Sequence, residues 1–314
     1  MFVLGIDAGG TKTVCLLADE HANVLAESRG PGANLQAGGE LEVEKTLHTV
    51  MAEALGRNRA VRPNAICCGM AGVDRPEDTT IIRTILTRIG QNADLLIVND
   101  ALIALEAGAP GQAGVVVVAG TGSIAYGRDA RGRAARAGGW GHVLGDEGSG
   151  YWLGRQALQA VVRAADGRGP ATSLTPRVLG HYRVARAQDL VHEIYYGGAR
   201  PSSIAKLGAL VESAASDGDE VARLIIETGA AELAAAAVSV ATRLQLDGCP
   251  VVLAGGMFRA VPQLKALLVA RLAASLPHSP IAPLMVEPAQ GAVRLAIQLM
   301  AGRVVVPAYM DAGQ

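Results

Sequence analysis

One arrangement occurs twice in this chain, and it restricts the fold more than any other feature. Phe2–Ile6 is a short apolar run ending in Asp7-Ala8-Gly9-Gly10-Thr11-Lys12-Thr13. A second apolar run follows over Val14–Ala18, then a polar turn over Asp19–Asn23 and a third run from Val24 to Glu27. The same order returns from Val115: an apolar run to Ala119, then Gly120-Thr121-Gly122-Ser123, a strand opening at Ile124, a Gly/Asp/Arg hairpin over 127–132 and a return strand over Arg133–Ala137. Short runs of this kind bounded by Gly, Asn and Asp read as strands and turns. Two strand–turn–strand–hairpin–strand units imply a duplicated domain, although residue identity between the copies is slight.

The remaining pattern fits around these units. A helix-period segment covers about 40–55, a strand Ala65–Met70, a helix about 78–89 and a strand 94–98, and Asn99-Asp100 opens a helix to about Ala107. This alternation predicts a mostly parallel α/β sheet with helices on its faces. Beyond Asp146 the chain is helix-rich, with a Gly/Pro break at 167–170, a long helix over about 219–246 and a strand running into Gly255-Gly256. An amphipathic helix covers 287–301, and the tail after Val306 reads as loose.

Composition removes several function classes. Half of the 314 residues are hydrophobic and 18% charged, enough for large cores and against disorder. Lys+Arg 28 against Asp+Glu 29 leaves a net charge of −1, and aromatic residues are only 3%, so neither a basic nucleic-acid face nor a base-stacking platform is expected. Cys15, Cys67, Cys68 and Cys249 show no CxxC spacing, which fits a reducing, cytoplasmic setting. The first residues lack a basic leader region, and Leu233–Ala241 is about half a bilayer span, so no membrane partner is expected.

Two phosphate motifs are near misses. Gly5–Thr13 approaches the P-loop pattern, but Thr11 stands where Lys should follow Gly10, and a strand rather than a helix comes next. Gly120-Thr-Gly122-Ser-Ile-Ala125 fits a dinucleotide fingerprint, yet a hairpin follows it. What remains is two glycine turns carrying the hydroxyls of Thr11, Thr121 and Ser123, at equivalent points of the two units. Turns with small residues let a polyphosphate approach the main chain. If they belong to separate domains, both reach one nucleotide only when the cleft between them narrows.

Asp100 lies at a strand's carboxyl end, where it serves equally as a helix N-cap or as a general base. Gly138–Gly150 (GGWGHVLGDEGSG) is the densest glycine and polar segment, with Trp140 and the adjacent Asp146-Glu147. Carboxylates for hydroxyls and an aromatic or glycine floor for an apolar ring face suit a sugar. His142 has no partner at metal-ligand spacing and reads as a packed loop histidine. Gly255-Gly256 is either a tight helix entry or a place for a flat ligand to meet bare backbone.

Taken together, Gly5–Thr11, Asn34, Asn99-Asp100, Gly120–Ser123, Gly138–Gly150 and Leu253–Gly256 resemble the N-acetylglucosamine kinase branch of the BadF/BadG/BcrA/BcrD-type ATPases, within the sugar kinase/Hsp70/actin superfamily. The resemblance covers nearly the whole chain. It implies an α/β fold of two ribonuclease-H-like (actin-like ATPase) domains closing over ATP, Mg2+ and a hexosamine. The N-terminal domain is expected over 1–110 and the larger C-terminal domain over 111–314, with a helical insertion at about 150–216 and helix 287–301 packed back on the first domain. By the same likeness Gly10, Thr11, Lys12, Thr121 and Gly122 attend the phosphates, and Asp7 helps hold Mg2+ through water. Gly255 and Gly256 border the adenosine, with Ala205 and Lys206 weaker candidates there. Asn34, Gly139, Trp140 and Asp146 bind the sugar, and Asp100 is the base toward its 6-hydroxyl. A homodimer is expected. Ala137 replaces the Cys that vertebrate enzymes carry before Gly-Gly-Trp, leaving acetylated and free amines, and muramic acid, open as substrates. A dehydratase-activator ATPase needs cluster cysteines that Cys67-Cys68 supply poorly, and a sugar sensor without turnover is the other alternative.

Overall fold

In a computed structural model, which describes residues 1–56, 62–73 and 75–310 (36, 37 and 76 by backbone alone), the duplication extends to entire sheets. The first sheet holds β1 (Phe2–Ala8), β2 (Lys12–Asp19), β3 (Val24–Pro31), β4 (Ala65–Met70) and β5 (Asp94–Asn99) in the order β3-β2-β1-β4-β5. β1 to β3 are antiparallel, whereas β4 and β5 run parallel to β1. The second sheet holds β6 (Gly114–Ala119), β7 (Ser123–Arg128), β8 (Arg133–Gly138), β9 (Val251–Ala254) and β10 (Ile281–Pro283). Its order β8-β7-β6-β9-β10 and its strand directions repeat those of the first. β1 and β4 are buried almost throughout because helices cover both faces, which is why they read as unbroken apolar runs.

Helices α1 (Leu35–Leu55), α2 (Pro76–Arg88) and α3 (Asp100–Gly108) serve the first sheet. Between β8 and β9 come α4 (Gly150–Ala165), α5 (Leu174–Tyr182), α6 (Leu190–Tyr195), α7 (Pro201–Ala205), α8 (Gly208–Ser216) and α9 (Glu220–Arg243). α10 (Met257–Ala260), α11 (Pro262–Ser275) and α12 (Pro288–Met300) complete the set. α9 is long and apolar enough to span a bilayer, but half of its apolar stretch is buried, and it packs on α8, α11 and the second sheet. The tail expected to be loose is not so over its described part. β11 (Ala308–Tyr309) adds to β8 in parallel, and the Tyr309 ring meets Tyr126 edge-on at 6.1 Å. A two-residue edge strand takes its pairing from its neighbours and leaves no periodicity to read; residues 311–314 lie outside the described residues.

The two sheets meet through their last helices. α3 follows β5 yet touches β6 and β7, and α12 follows β10 yet packs on β1 and β4. Where α3 and α12 cross, a Cβ on Gly291 would lie 2.0 Å from the Ile103 carbonyl oxygen, so only glycine permits that approach. Beside the crossing, Glu106 of α3 and Arg128 of β7 form an ion pair at 2.5 Å, with side chains 1% and 10% exposed. Arg128 also donates to the carbonyls of Gln112 (2.9 Å) and Ala109 (3.2 Å). Truncating one member of such a pair strands the other charge in a dry setting. Arg128→Met is therefore expected to cost about 3 kcal/mol in chemical denaturation, and Glu106→Leu combined with Arg128→Met to recover most of it. Parent-like stability of the single variant would show that Glu106 is not left stranded when Arg128 is removed.

Candidate active site

The two glycine turns face each other. In the β1–β2 turn the Gly9 amide donates to the Lys12 carbonyl (3.0 Å), and the Ala33 amide donates to that of Gly9 (3.1 Å). Gly32 backs so closely on the turn that its Cβ would lie 2.4 Å from the Gly10 oxygen. This contact brings Asn34, one residue before α1, beside the turn. In the β6–β7 turn the Gly120 amide donates to the Gly122 carbonyl (2.9 Å). The hydroxyls of Thr11 and Thr121 are 2.8 Å apart. The two turns are therefore in direct contact through these side chains.

Two carboxylates stand beside the first turn. Asp7 is 8% exposed near the end of β1, and Asp100 is half-buried at the start of α3. Asn99, not Asp100, caps α3, its side-chain oxygen accepting from the Ala101 amide at 2.8 Å. The cap is thus supplied by the neighbour of Asp100. Burial first, and then the Asp100 charge, push the Asp7 carboxyl up to about 7, with Lys12 pulling the other way.

The sign of that displacement gives a testable pH dependence. A carboxyl whose folded pKa exceeds its unfolded value binds more protons when folded, so stability falls as pH rises from about 4 to about 7 and then levels off. Asp7→Asn removes that penalty, ~1.4 kcal/mol for each tenfold gain in proton affinity. Its melting temperature is expected to exceed the parent's most at pH 8 and to converge with it on acidification toward pH 4. A pH-independent gap would place the Asp7 pKa near its ordinary value.

Lys12, on β2, is ion-paired to Glu287 at 2.8 Å, and the other oxygen of Glu287 takes Arg29 of β3 at 3.0 Å. Glu287 precedes α12 as its N-cap residue. Burial works to raise its carboxyl, but the hydrogen bonds from Lys12 and Arg29 outweigh it and hold the group below the usual range. Glu287 is absent from the residues expected at the site from sequence. Its one signal lies in the duplication, since Val-Glu287-Pro at β10–α12 occupies the place that Asn99-Asp100 takes at β5–α3.

The glycine-rich loop folds onto the second turn. Gly138, Gly139, Gly141 and Gly148 all have φ between 70° and 81°, and Asp146 shares that left-handed region at 64°. The Gly139 amide donates to the Ser123 carbonyl (3.0 Å), the Ser123 hydroxyl to the Glu147 carbonyl (2.8 Å), and the Gly150 and Tyr151 amides to the carbonyls of Gly120 and Thr121 (2.9 and 3.2 Å). Ser149 caps α4 through the Trp152 amide. Asp146, 7% exposed, accepts from the Ser123 amide at 3.3 Å and lies against Gly122, where a Cβ would sit 2.8 Å from its Oδ2. Burial raises its carboxyl. Trp140 points outward, 62% exposed, with the Arg136 guanidinium 4.7 Å from its ring centroid. The loop doubles back between them, the Gly145 amide donating to the Gly141 carbonyl at 2.9 Å. His142 packs edge-on against Tyr151 at 5.0 Å, and among the described residues no three metal-ligating side chains converge.

Packing divides the third glycine pair. At φ 109° a Cβ on Gly255 would meet the Ala119 oxygen at 2.1 Å, so the crossing beside β6 itself requires that glycine. Gly256 has nothing within 4 Å of its Cβ position and faces open space. Ala205 and Met257 both press on Gly150 at the start of α4, whereas Lys206 is exposed.

The model of the BadF/BadG/BcrA/BcrD ATPase family matches residues 4–296. The chain belongs to that family. Among relatives of the chain is the N-acetylmuramic acid/N-acetylglucosamine kinase of Clostridium acetobutylicum, 39% identical over 82% of this chain and 85% of the relative. The N-acetyl-D-glucosamine kinase of Dictyostelium discoideum is 33% identical over 94% of this chain and 97% of its own length. A crystal structure from Chromobacterium violaceum, named as a candidate N-acetylglucosamine kinase, superposes with a TM-score of 0.79 at 28% identity, covering 95% of this chain and 99% of that one. The α/β fold with two actin-like halves expected from the sequence is the fold of this family member.

Proposed function

We propose that this protein is an ATP-dependent kinase that phosphorylates the 6-hydroxyl of an amino sugar, N-acetylglucosamine first among them. The observation that carries the reading is the meeting of the Thr11 and Thr121 turns beside Asp7 and Asp100, with the 138–150 loop bonded to the second turn. Two relatives at 39% and 33% identity are named for that sugar, which supports the same substrate here. N-Acetylmuramic acid is the second reading, favoured by the name of the first relative.

In this assignment Gly10, Thr11, Lys12, Thr121 and Gly122 receive the phosphates, Gly256 faces the adenosine, and Gly255 shapes the crossing behind it. Asn34, Gly139, Trp140 and Asp146 hold the sugar. Asp100 accepts the proton of the 6-hydroxyl as its oxygen attacks the terminal phosphorus in line and ADP departs. Asp7 and Asp100 suit a divalent cation, because a buried carboxylate and a second one close enough to raise it would both gain from a shared positive charge beyond what Lys12 supplies. Asp7 would hold Mg2+ through water, in keeping with the habit of that ion of retaining most of its waters. When bound, Mg2+ neutralises charge on the phosphate oxygens. The free cysteines, of which Cys15, Cys67 and Cys68 are buried, suit a cytoplasmic setting.

An assay of ADP release over N-acetylglucosamine, glucosamine, N-acetylmuramic acid, N-acetylmannosamine and glucose tests the reading. N-Acetylglucosamine is expected to give the highest kcat/KM, with the product phosphorylated at the 6-position by NMR. ADP release that ignores added sugar would overturn the proposal.

A further inference from the structure

The β10–α12 junction carries a group that no step above uses. Glu287 reaches from the end of the second sheet to two cations on the first, Lys12 at 2.8 Å and Arg29 at 3.0 Å. Its side chain is 31% exposed, against 50% for Lys12 and 51% for Arg29, so the carboxylate is the better-buried partner in both pairs. Lys12 adjoins Thr11 of the first turn, and its backbone carbonyl closes that turn through the Gly9 amide. A lysine ammonium is a point charge on a flexible four-carbon stem, and it loses rotamer freedom whenever it is used. Arg29 also pairs with Glu27, so two cations and two carboxylates balance in this cluster, and Lys12 is its cation next to the turn.

We infer that Glu287 is a positioning residue for the nucleotide, holding the Lys12 ammonium at the mouth of the first phosphate turn while Arg29 holds Glu287. One of the three ammonium protons goes to Glu287, and the orientation this enforces directs the others to phosphate oxygens. The tie joins the first sheet's turn to the residue that opens α12, so the element that follows the second sheet sets a side chain of the first. The inference rests on the assignment of Lys12 to the phosphates, and its test separates the two.

Steady-state kinetics on Lys12→Met, Glu287→Gln, Glu287→Asp and the double variant Lys12→Met/Glu287→Gln supply that test. Lys12→Met is expected to raise KM for Mg-ATP, and Glu287→Gln to raise it about tenfold, with KM for the sugar unchanged and kcat lowered less than KM rises. Glu287→Asp, which keeps the charge, is expected to restore part of the loss. In the Lys12→Met background Glu287→Gln is expected to add nothing, because the group it positions is gone. An unchanged KM for Mg-ATP in Glu287→Gln, with only its melting temperature lowered, makes Glu287 a structural tie and overturns the inference. A lower KM overturns it too, by showing that the carboxylate restrains Lys12 instead of aiming it. Fully additive effects in the double variant overturn it as well. If Lys12→Met itself leaves KM for Mg-ATP unchanged, the phosphate assignment of Lys12 fails first and the inference falls with it.

Discussion

Asp100→Asn is expected to fold like the parent and to lose between ~10²- and ~10⁴-fold in kcat, the range for removal of a general base. The folding half of this expectation comes from Asn99. That residue caps α3 through the Ala101 amide, and the change at Asp100 leaves this bond in place. The catalytic half comes from position. Asp100 stands at the carboxyl edge of β5, close enough to Asp7 for its charge to raise that group, and beside the turn facing Thr121. Asparagine keeps the shape of the side chain but cannot accept the hydroxyl proton. KM values for sugar and Mg-ATP are expected to move far less than kcat. Near-parental turnover by a properly folded variant would remove Asp100 from the chemistry.

Asp100 also marks where the sequence stops being readable. Adjacent Asn and Asp at a strand–helix junction are equally good caps, and the identity of the one used is a matter of three-dimensional geometry. The turns at Gly9–Thr11 and Gly120–Ser123 are legible because apolar runs bounded by glycine are local signals. Their contact through two threonine hydroxyls is not, since it joins residues 110 apart. Glu287 is further still from its partners, 275 residues from Lys12 and 258 from Arg29, and no periodicity reports it. Gly255 shows the opposite case. A glycine noticed for a ligand is required by the backbone of Ala119, while its neighbour Gly256 keeps the open side.

The 138–150 loop, read as a sugar floor, holds the largest expected effect on binding. Asp146 is buried, and burial raises its carboxyl, so its charged form relies on the groups that donate to it and on nearby His142. One such donor is the Ser123 amide at a long 3.3 Å. Sugar hydroxyls donating to a desolvated carboxylate discriminate strongly, because without them the charge is left unpaired. Asp146→Ala is therefore expected to raise KM for the amino sugar by ~10²- to ~10³-fold. The effect on KM for ATP is expected to be only a few-fold. Losing the Ser123 contact leaves the second turn bonded through the Ser123 hydroxyl to Glu147, through Gly139 to the Ser123 carbonyl, and through Gly150 and Tyr151 to Gly120 and Thr121. Position 146 has φ 64°, a region that Asn tolerates better than Ala, so Asp146→Asn serves as the control for backbone strain. It is expected to keep the fold and share the sugar defect. Thr121→Ala is expected to do the reverse, raising KM for ATP and sparing the sugar. If Asp146→Asn instead weakened ATP and left the sugar untouched, the carboxylate would belong to the phosphate turn it leans on, and the sugar would have to be held by Trp140, Gly139 and Asn34 without it.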